Sequence, residues 1–323
     1  MLFESQHPLN KSIVVAVLGK PNAGKSSLVN ALMGVDLSVV TSKAQTTRHK
    51  FHCVFTIDHT EVVLVDTPGI HSSTQELNLR MMGQVEEGAQ GAELNLILMD
   101  TEVSLQGQWQ EIVKEFPKGD GLLNKSWMIF TKKDVARMSI EDMRNFFEEI
   151  KKEYPFFEKF FVTSSKTEEG INDLTQSLCD MAGPNLHRYP GGEMSNKNMR
   201  FFVTEYIRGV AFELLKEELP YELAVTIENY EEAPKSGDIV AAISAVILVN
   251  RPSQRAIVIG KGGQMIRDIG SLARKKIETL IGGKVFLGLH VKVSPNWFKN
   301  NFVLEELGLP RVQSSHRIWR KKV

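Results

Sequence analysis

Eight residues, "GKPNAGKS" at positions 19–26, follow the apolar run "IVVAVL" and precede the helix-like stretch "SLVNALMG". The pattern GxxxxGKS fixes two glycines, a lysine and a hydroxyl residue at set offsets, and here it sits after a strand-like segment and opens a helix. That context suits phosphate. Gly19 and Gly24 let the backbone wrap an anion, and the loop Gly19, Lys20, Pro21, Asn22, Ala23, Gly24, Lys25, Ser26 and Ser27 places it at the positive end of a helix. Lys25 supplies a point charge for the outer phosphates, and Ser26 a hydroxyl for Mg²⁺. A plain strand-to-helix turn is the alternative, and six matching constraints argue against it.

Three further groups fall where such a loop would need them. "DTPG" (66–69) offers Asp66, whose carboxylate can support a metal through water, and Gly69, whose N–H can meet the outermost phosphate. "SKAQTTRHK" (42–50) reads as a mobile polar loop in which Thr47, beside Thr46, can complete the Mg²⁺ shell when a third phosphate is present. An ordinary polar loop is its bland reading. "TKKD" (131–134) brings base recognition: Asp134 can accept from both N1–H and the exocyclic amine of guanine, whereas adenine leaves a carboxylate unpaired. Lys132 can lay its stem along the base while its head reaches elsewhere. "SSK" (Ser164, Ser165, Lys166) follows the next strand, and a Ser165 N–H is placed to contact the guanine oxygen.

The elements that must position these groups are legible too. Apolar runs at 13–19, 61–66, 94–100, 126–131 and 159–165 alternate with helical segments. One of these, "SIEDMRNFFEEIKKEY", repeats Ile140, Met143, Phe146, Phe147 and Ile150 at helical spacing as core. Such alternation predicts a mostly parallel α/β sheet covered on both faces, with ligands beyond the strands' C-terminal ends. The chain of 323 residues suggests about two domains. No run of 18 apolar residues occurs and "MLFESQHPLN" has no signal-peptide core, so a cytoplasmic protein is expected. Cys53 and Cys179, the two cysteines, lack metal-ligand or CxxC spacing and read as small apolar residues.

The ordered set "GKPNAGKS", "TTR", "DTPG", "TKKD" and "SSK" resembles the translation-factor-related class of P-loop GTPases. Two departures matter. The guanine motif of that class usually begins with Asn and here begins with Thr131, which can still donate a hydrogen bond but has no amide to brace the phosphate loop, so looser nucleotide binding is expected with unchanged base choice. Ile70 stands after "DTPG" where Ras-like GTPases place a catalytic glutamine, and an isoleucine cannot orient water, so slow intrinsic hydrolysis is expected. Asn22 resembles the asparagine some such GTPases use to hold K⁺ beside the phosphates; a loop-stabilising asparagine is the bland alternative. Lys25, Thr47 and Asn22 are the candidate catalytic residues, and Ser26, Thr47 and Asp66 the candidate metal set.

Zero net charge hides an asymmetry: residues 197–323 carry 20 Lys and Arg against 13 Asp and Glu, a net of +7, and residues 1–196 carry 19 against 26, a net of −7. The decisive stretch in the basic half is "VIGKGGQMI" (258–266). A GxxG loop between apolar shoulders suits single-stranded nucleic acid: Gly260, Gly262 and Gly263 let the backbone approach a sugar-phosphate chain, Lys261 adds charge, and Ile259 and Ile266 can floor a groove. Arg267, Arg274, Lys275 and Lys276 follow on the next helix, as phosphate contacts or as a solvated surface.

This half resembles a KH domain with a late GxxG, and the combination resembles the bacterial Era family over about residues 10–312, with "KAQTTRH", "ELPYEL" and "VIGKGG" in support. The resemblance implies a GTPase domain at 1–182, a linker at 183–199, a smaller α+β KH domain at 200–312 and a basic tail at 313–323. It further implies GTP hydrolysis to GDP with Mg²⁺, binding near the 3′ end of small-subunit (16S) rRNA, and assistance to 30S subunit assembly. A monomer is expected, with peripheral association at the inner face of the cell membrane described for some members. A GTPase of another pathway, a pure RNA binder with a degenerate nucleotide domain, and an ATPase are the rival classes.

Overall fold

The computed structural model describes residues 6–41, 43, 46–71, 75–116, 125–189, 191–232 and 238–311. The basic tail expected at 313–323, and Ser42, Ala44 and Gln45 of the polar loop, lie outside the described residues. The chain divides into two compact units, one of residues 1–38 and 47–196, the other of residues 39–46 and 197–323.

The first unit runs β1 (Lys11–Gly19), α1 (Lys25–Met33), β2 (Phe51–Ile57), β3 (Thr60–Asp66), α2 (Glu76–Gln90), β4 (Leu94–Asp100), α3 (Leu105–Glu115), β5 (Ser126–Thr131), α4 (Ile140–Glu153), β6 (Phe157–Val162), α5 (Ile171–Met181) and β7 (Gly183–Pro184). The sheet order is β2-β3-β1-β4-β5-β6, with β7 paired to the start of β1. β3, β1, β4, β5 and β6 are parallel; the near-continuous apolar runs of β3, β1, β4 and β5 reflect burial on both faces, while the edge strand β6 carries exposed Glu158 and Lys159.

Strand β2 is absent from the alternating pattern read in the sequence. "FHCVFTI" turns back antiparallel on β3 through Asp58 and His59, with Asp58 in the left-handed region (φ 51°), so the hairpin lacks the glycine that usually signals one. The α4 pattern holds except at its first residue: Met143, Phe147 and Ile150 are buried, Phe146 packs against the core, and Ile140 at the helix start is exposed. Ser139 and Asp142 close a reciprocal capping box there, which starts the helix regardless of what Ile140 faces.

The stretch expected to link the two domains is pinned to the first unit over much of its length. Glu61, buried in β3, accepts from the Ser12 hydroxyl (2.8 Å) and from the backbone N–H groups of Arg188 and Tyr189 (2.9 and 3.0 Å). A buried carboxylate needs such donors. Further on, Val54 N–H donates to the Met194 carbonyl (2.9 Å), and Ser195 forms an antiparallel bridge with Cys53 along the outer edge of β2.

In the second unit, α6 (Met199–Leu214) is capped by Asn198 and followed by β8 (Ala224–Glu232), β9 (Ala241–Val249), α7 (Pro252–Ile259), α8 (Gln264–Ile281), β10 (Val285–Val293) and α9 (Asn301–Glu306). The sheet order β10-β9-β8 has β10 parallel and β8 antiparallel to β9. Ile207, Val210, Ile243, Ile247, Ile269 and Ile277 are among the buried residues between sheet and helices. Among the described residues no helix is long and apolar enough to cross a membrane.

Candidate functional site

The parallel sheet brings the sequence motifs to one edge. Register places Val17 opposite Asp66, Gly19 opposite Leu98, and Asp100 opposite Thr131, so the residues that follow β1, β3, β4 and β5 emerge side by side. The phosphate loop leaves β1 at Gly19 and enters α1 at Lys25, with Gly24 as a left-handed N-cap (φ 84°). Asn22 is also left-handed (φ 64°), a conformation asparagine tolerates, and is exposed. Lys25 is buried, and its ammonium donates to the carbonyls of Gly19 (3.1 Å) and Lys20 (2.9 Å). Burial pulls its pKa down to about 8 against the opposing pull of Asp66. Lys20 points elsewhere, in an ion pair with Glu111.

The candidate metal set is assembled. Ser26 Oγ lies 3.0 Å from Thr47 Oγ1 and donates to Asp66 Oδ2 at 3.2 Å. Asp66 is fully buried; burial raises its pKa, while hydrogen bonds from Ser38 and Ser26 and the charge of Lys25 pull it back. Its Oδ1 is buried without a hydrogen-bond partner. Two hydroxyls and a carboxylate, one of whose oxygens is a spare buried acceptor, form the all-oxygen donor set that suits Mg²⁺, leaving further positions for water and phosphate. Among the described residues no cluster of three or more His, Cys, Asp or Glu offers another metal site.

Gly69 lies directly on the phosphate loop: a Cβ there would come within 2.8 Å of the Pro21 backbone nitrogen, so no side chain fits. Ile70 N–H then donates to the Gly19 carbonyl at 3.0 Å, and the Ile70 side chain is fully buried in the core. Ile70 is thus an apolar anchor for the loop that carries Gly69.

At the base-binding end the structure corrects one expectation. Thr131 lacks an amide, yet its hydroxyl donates to the Ala23 carbonyl at 2.9 Å and does brace the phosphate loop. Register explains it: Thr131 is buried at the end of β5, close enough for a short side chain to span the gap. Lys132 is left-handed (φ 61°) and sends its ammonium to Asp100 and Glu102, both at 2.7 Å, which leaves its stem as a flat apolar surface. Asp134 accepts from the Ser164 hydroxyl at 2.7 Å, and Lys166 stands 3.9 Å from its other oxygen, so the carboxylate is oriented by the turn after β6. Ser165, half-buried, sits in that turn.

In the second unit the "GKGG" turn joins α7 to α8. Gly260 adopts φ 74° with a would-be Cβ 2.7 Å from Met265 Cβ, and Gly262 and Gly263 are left-handed as well. These three exceptions to ordinary backbone space within four residues hold the turn against the start of α8. Lys261 and Gly262 are exposed, and Ile259 and Ile266 are half-buried on either side. On α8, Arg267, Arg274 and Lys275 are exposed and fall within roughly 100° of one another around the helix, while Lys276 points about 180° from Arg267. Sequence reasoning missed Asp100, which fixes Lys132, and Ser38 and Asn30, which carry no motif signal.

A family profile described as "50S ribosome-binding GTPase" matches residues 14–132, and one described as "KH domain" matches residues 218–298. The chain is 35% identical over 312 residues to GTPase Era of Erythrobacter litoralis, covering 94% of this chain and 99% of that protein. It is 34% identical over 300 residues to GTPase Era of Thermotoga maritima, with coverage of 93% and 97%. A crystal structure of Era in complex with MgGDPNP and nucleotides 1506–1542 of 16S ribosomal RNA matches with a TM-score of 0.85 at 27% identity, over 93% of this chain and 99% of that one. A structure of an Aquifex aeolicus Era variant bound to GDP.AlF4⁻ matches equally well. A braced phosphate loop, an Asp134 carboxylate oriented by Ser164 and a GxxG turn in one chain thus coincide with similarity over more than nine-tenths of its length, and the protein belongs to the GTPase Era family.

Proposed function

We propose that this GTPase is a molecular switch that binds the 3′ end region of small-subunit rRNA through its KH domain and assists 30S subunit assembly. The observation that carries this reading is the co-occurrence of the Ser26–Thr47–Asp66 cluster and the exposed "GKGG" turn in one chain that spans its relatives end to end. The loop amides of 19–27 and Lys25 hold the phosphates. Ser26 and Thr47 hold Mg²⁺, and Asp66 supports it through water; the bound ion would neutralise charge developing on the phosphates. Lys132 flanks the base, Asp134 selects guanine, Ser164 orients Asp134, and Ser165 N–H meets the guanine oxygen with Lys166 beside it. Gly69 N–H contacts the outermost phosphate. Asn22, held left-handed at the loop's exposed rim, is the residue through which K⁺ would act.

RNA lies along Ile259, Gly260, Lys261, Gly262, Gly263 and Ile266, with Arg267, Arg274 and Lys275 on its phosphates. A glycine turn between apolar shoulders supports that reading over a solvated basic surface, because solvation alone requires no glycines. The 183–199 stretch links the two domains, and the protein acts as a cytoplasmic monomer.

The test is GTP hydrolysis by the full chain in KCl and in NaCl, with and without a single-stranded RNA copying the 3′ end of small-subunit rRNA, beside a Gly263→Asp variant. Stimulation by RNA in the native chain and its loss in the variant supports the switch. Hydrolysis indifferent to an RNA that still binds would rule it out.

A further inference from the structure

Ser38 lies in the loop after α1, belongs to none of the recognised motifs, and is buried. Its hydroxyl donates to Asp66 Oδ2 at 2.5 Å, the shorter of the two side-chain hydrogen bonds to that oxygen. The loop itself is held by Asn30 of α1. Asn30 Oδ1 accepts from the backbone N–H groups of Leu37 (3.1 Å) and Ser38 (2.7 Å), and its Nδ2 donates to the Ser38 carbonyl (2.8 Å). Both ends of one buried amide are thus spent on fixing two residues of loop backbone.

The terminal torsion of an aspartate is broad, so burial alone does not set which way its two oxygens face. At Asp66 the two hydroxyls converge on Oδ2, the backbone N–H of Thr67 also reaches the carboxylate, and Oδ1 is buried without a hydrogen-bond partner. Ser26 cannot be the fixed element, because its oxygen is a metal ligand in the reading above. Ser38 is not a metal ligand, and its hydrogen bond need not change when the ion arrives.

We propose that Ser38 is a positioning residue of the magnesium site, holding the Asp66 carboxylate so that Oδ1 receives a metal-bound water, with Asn30 holding Ser38. This rests on the assignment of Asp66 to the metal shell. Residues that orient metal-site carboxylates commonly carry about 10- to 100-fold of metal affinity or activity.

The experiment titrates Mg²⁺ against GTP hydrolysis for the full-length native protein and its Ser38→Ala, Ser38→Thr and Asp66→Asn variants, and measures retention of fluorescent GDP in EDTA for the same set. Ser38→Ala is expected to raise the Mg²⁺ concentration for half-maximal hydrolysis about tenfold, with metal-free GDP affinity unchanged and Ser38→Thr close to native. Should Ser38→Ala fold poorly, Ser38→Cys keeps the volume with a weak donor and carries the same expectation. A native Mg²⁺ requirement in Ser38→Ala, or in Ser38→Cys if only that folds, overturns the proposal. If Asp66→Asn alone shifts the requirement, the role of Ser38 fails while the metal assignment stands; if Asp66→Asn leaves it unchanged, both fail.

Discussion

Thr131 and Ala23, far apart in sequence, are joined by a 2.9 Å hydrogen bond from the threonine hydroxyl to the alanine carbonyl. The same hydroxyl is 3.3 Å from the Met99 carbonyl, so the end of β5 ties the phosphate loop to the neighbouring strand β4. Removing it leaves the Ala23 carbonyl without that donor. Thr131→Val is therefore expected to weaken GDP binding by roughly 1–2 kcal/mol, about tenfold, with the preference for GTP over ATP intact. Titration of fluorescent GDP and competition by ATP check both halves, and Thr131→Ser should bind like the native chain.

Lys25 gives the nucleotide site a pH dependence of known sign. In the empty protein its pKa is lowered from 10.5 to about 8, chiefly by burial. Bound phosphates favour the charged ammonium, so above pH 8 binding takes up a proton and GDP affinity is expected to fall by up to about tenfold per pH unit towards pH 10. Stability of the empty protein moves the opposite way. The unfolded chain holds this proton up to 10.5, so the cost of the buried charge is fully present below about pH 8 and is relieved as pH rises between the two values. Fluorescent GDP titrations from pH 7 to 9.5 test this, and comparison with Lys25→Met removes the titration of the base itself.

Much of this was written in the residue types. The phosphate loop, "DTPG" and "TKKD" each follow a buried parallel strand, and a parallel sheet aligns strand ends, so motif order sufficed to bring Ser26, Asp66 and Asp134 to one edge. Ser38 and Asp100 were not legible because each meets its partner across a long stretch of chain, and Asn30 because its bonds fix an irregular loop; none of these leaves a periodicity or a motif spacing. Strand β2 escaped for a different reason: Asp58 takes a left-handed turn, as aspartate can, but His59 follows it where a glycine would have signalled the hairpin. At Thr131 the residue type showed a hydroxyl donor and no amide, but only the distance to Ala23 shows that the hydroxyl alone reaches the phosphate loop.

Arg208 and Glu205, one turn apart on α6, are both buried and paired through Nε to Oε1 at 3.0 Å and through Nη2 to Oε2. Arg208→Leu removes the arginine from the buried Glu205 carboxylate and from the Thr46 carbonyl, to which Nη2 also donates, and should cost roughly 3–5 kcal/mol. Adding Glu205→Leu should recover part of that loss, because the desolvated charge is gone while the Thr46 carbonyl still lacks the arginine. Urea unfolding of the full chain distinguishes this from a surface-like pair, for which the double variant would be no better than the single one.

Gly260 combines positive φ with contact to Met265. Gly260→Ala is expected to distort the turn at a cost of about 1–3 kcal/mol and to abolish binding of single-stranded RNA, while GTP hydrolysis without RNA stays at the native rate. A gel-shift and a hydrolysis assay on one preparation suffice. Loss of both activities would instead mean that the substitution unfolds the chain.

The backbone that runs beside β2 has a practical corollary for dissecting this protein. Met194, Ser195 and Asn196 line the edge of β2 that faces away from β3, through Val54 N–H to Met194 O, Ser195 Oγ to His52 O and His52 N–H to Asn196 Oδ1. A fragment ended after α5 would bare that strand, with Phe51 and Phe55 along it, and expose backbone groups that pair readily with another copy. An isolated nucleotide-binding fragment should therefore run through residue 196; cut shorter, it would form strand-to-strand aggregates whose loss of activity is easily misread as dependence on the RNA-binding half.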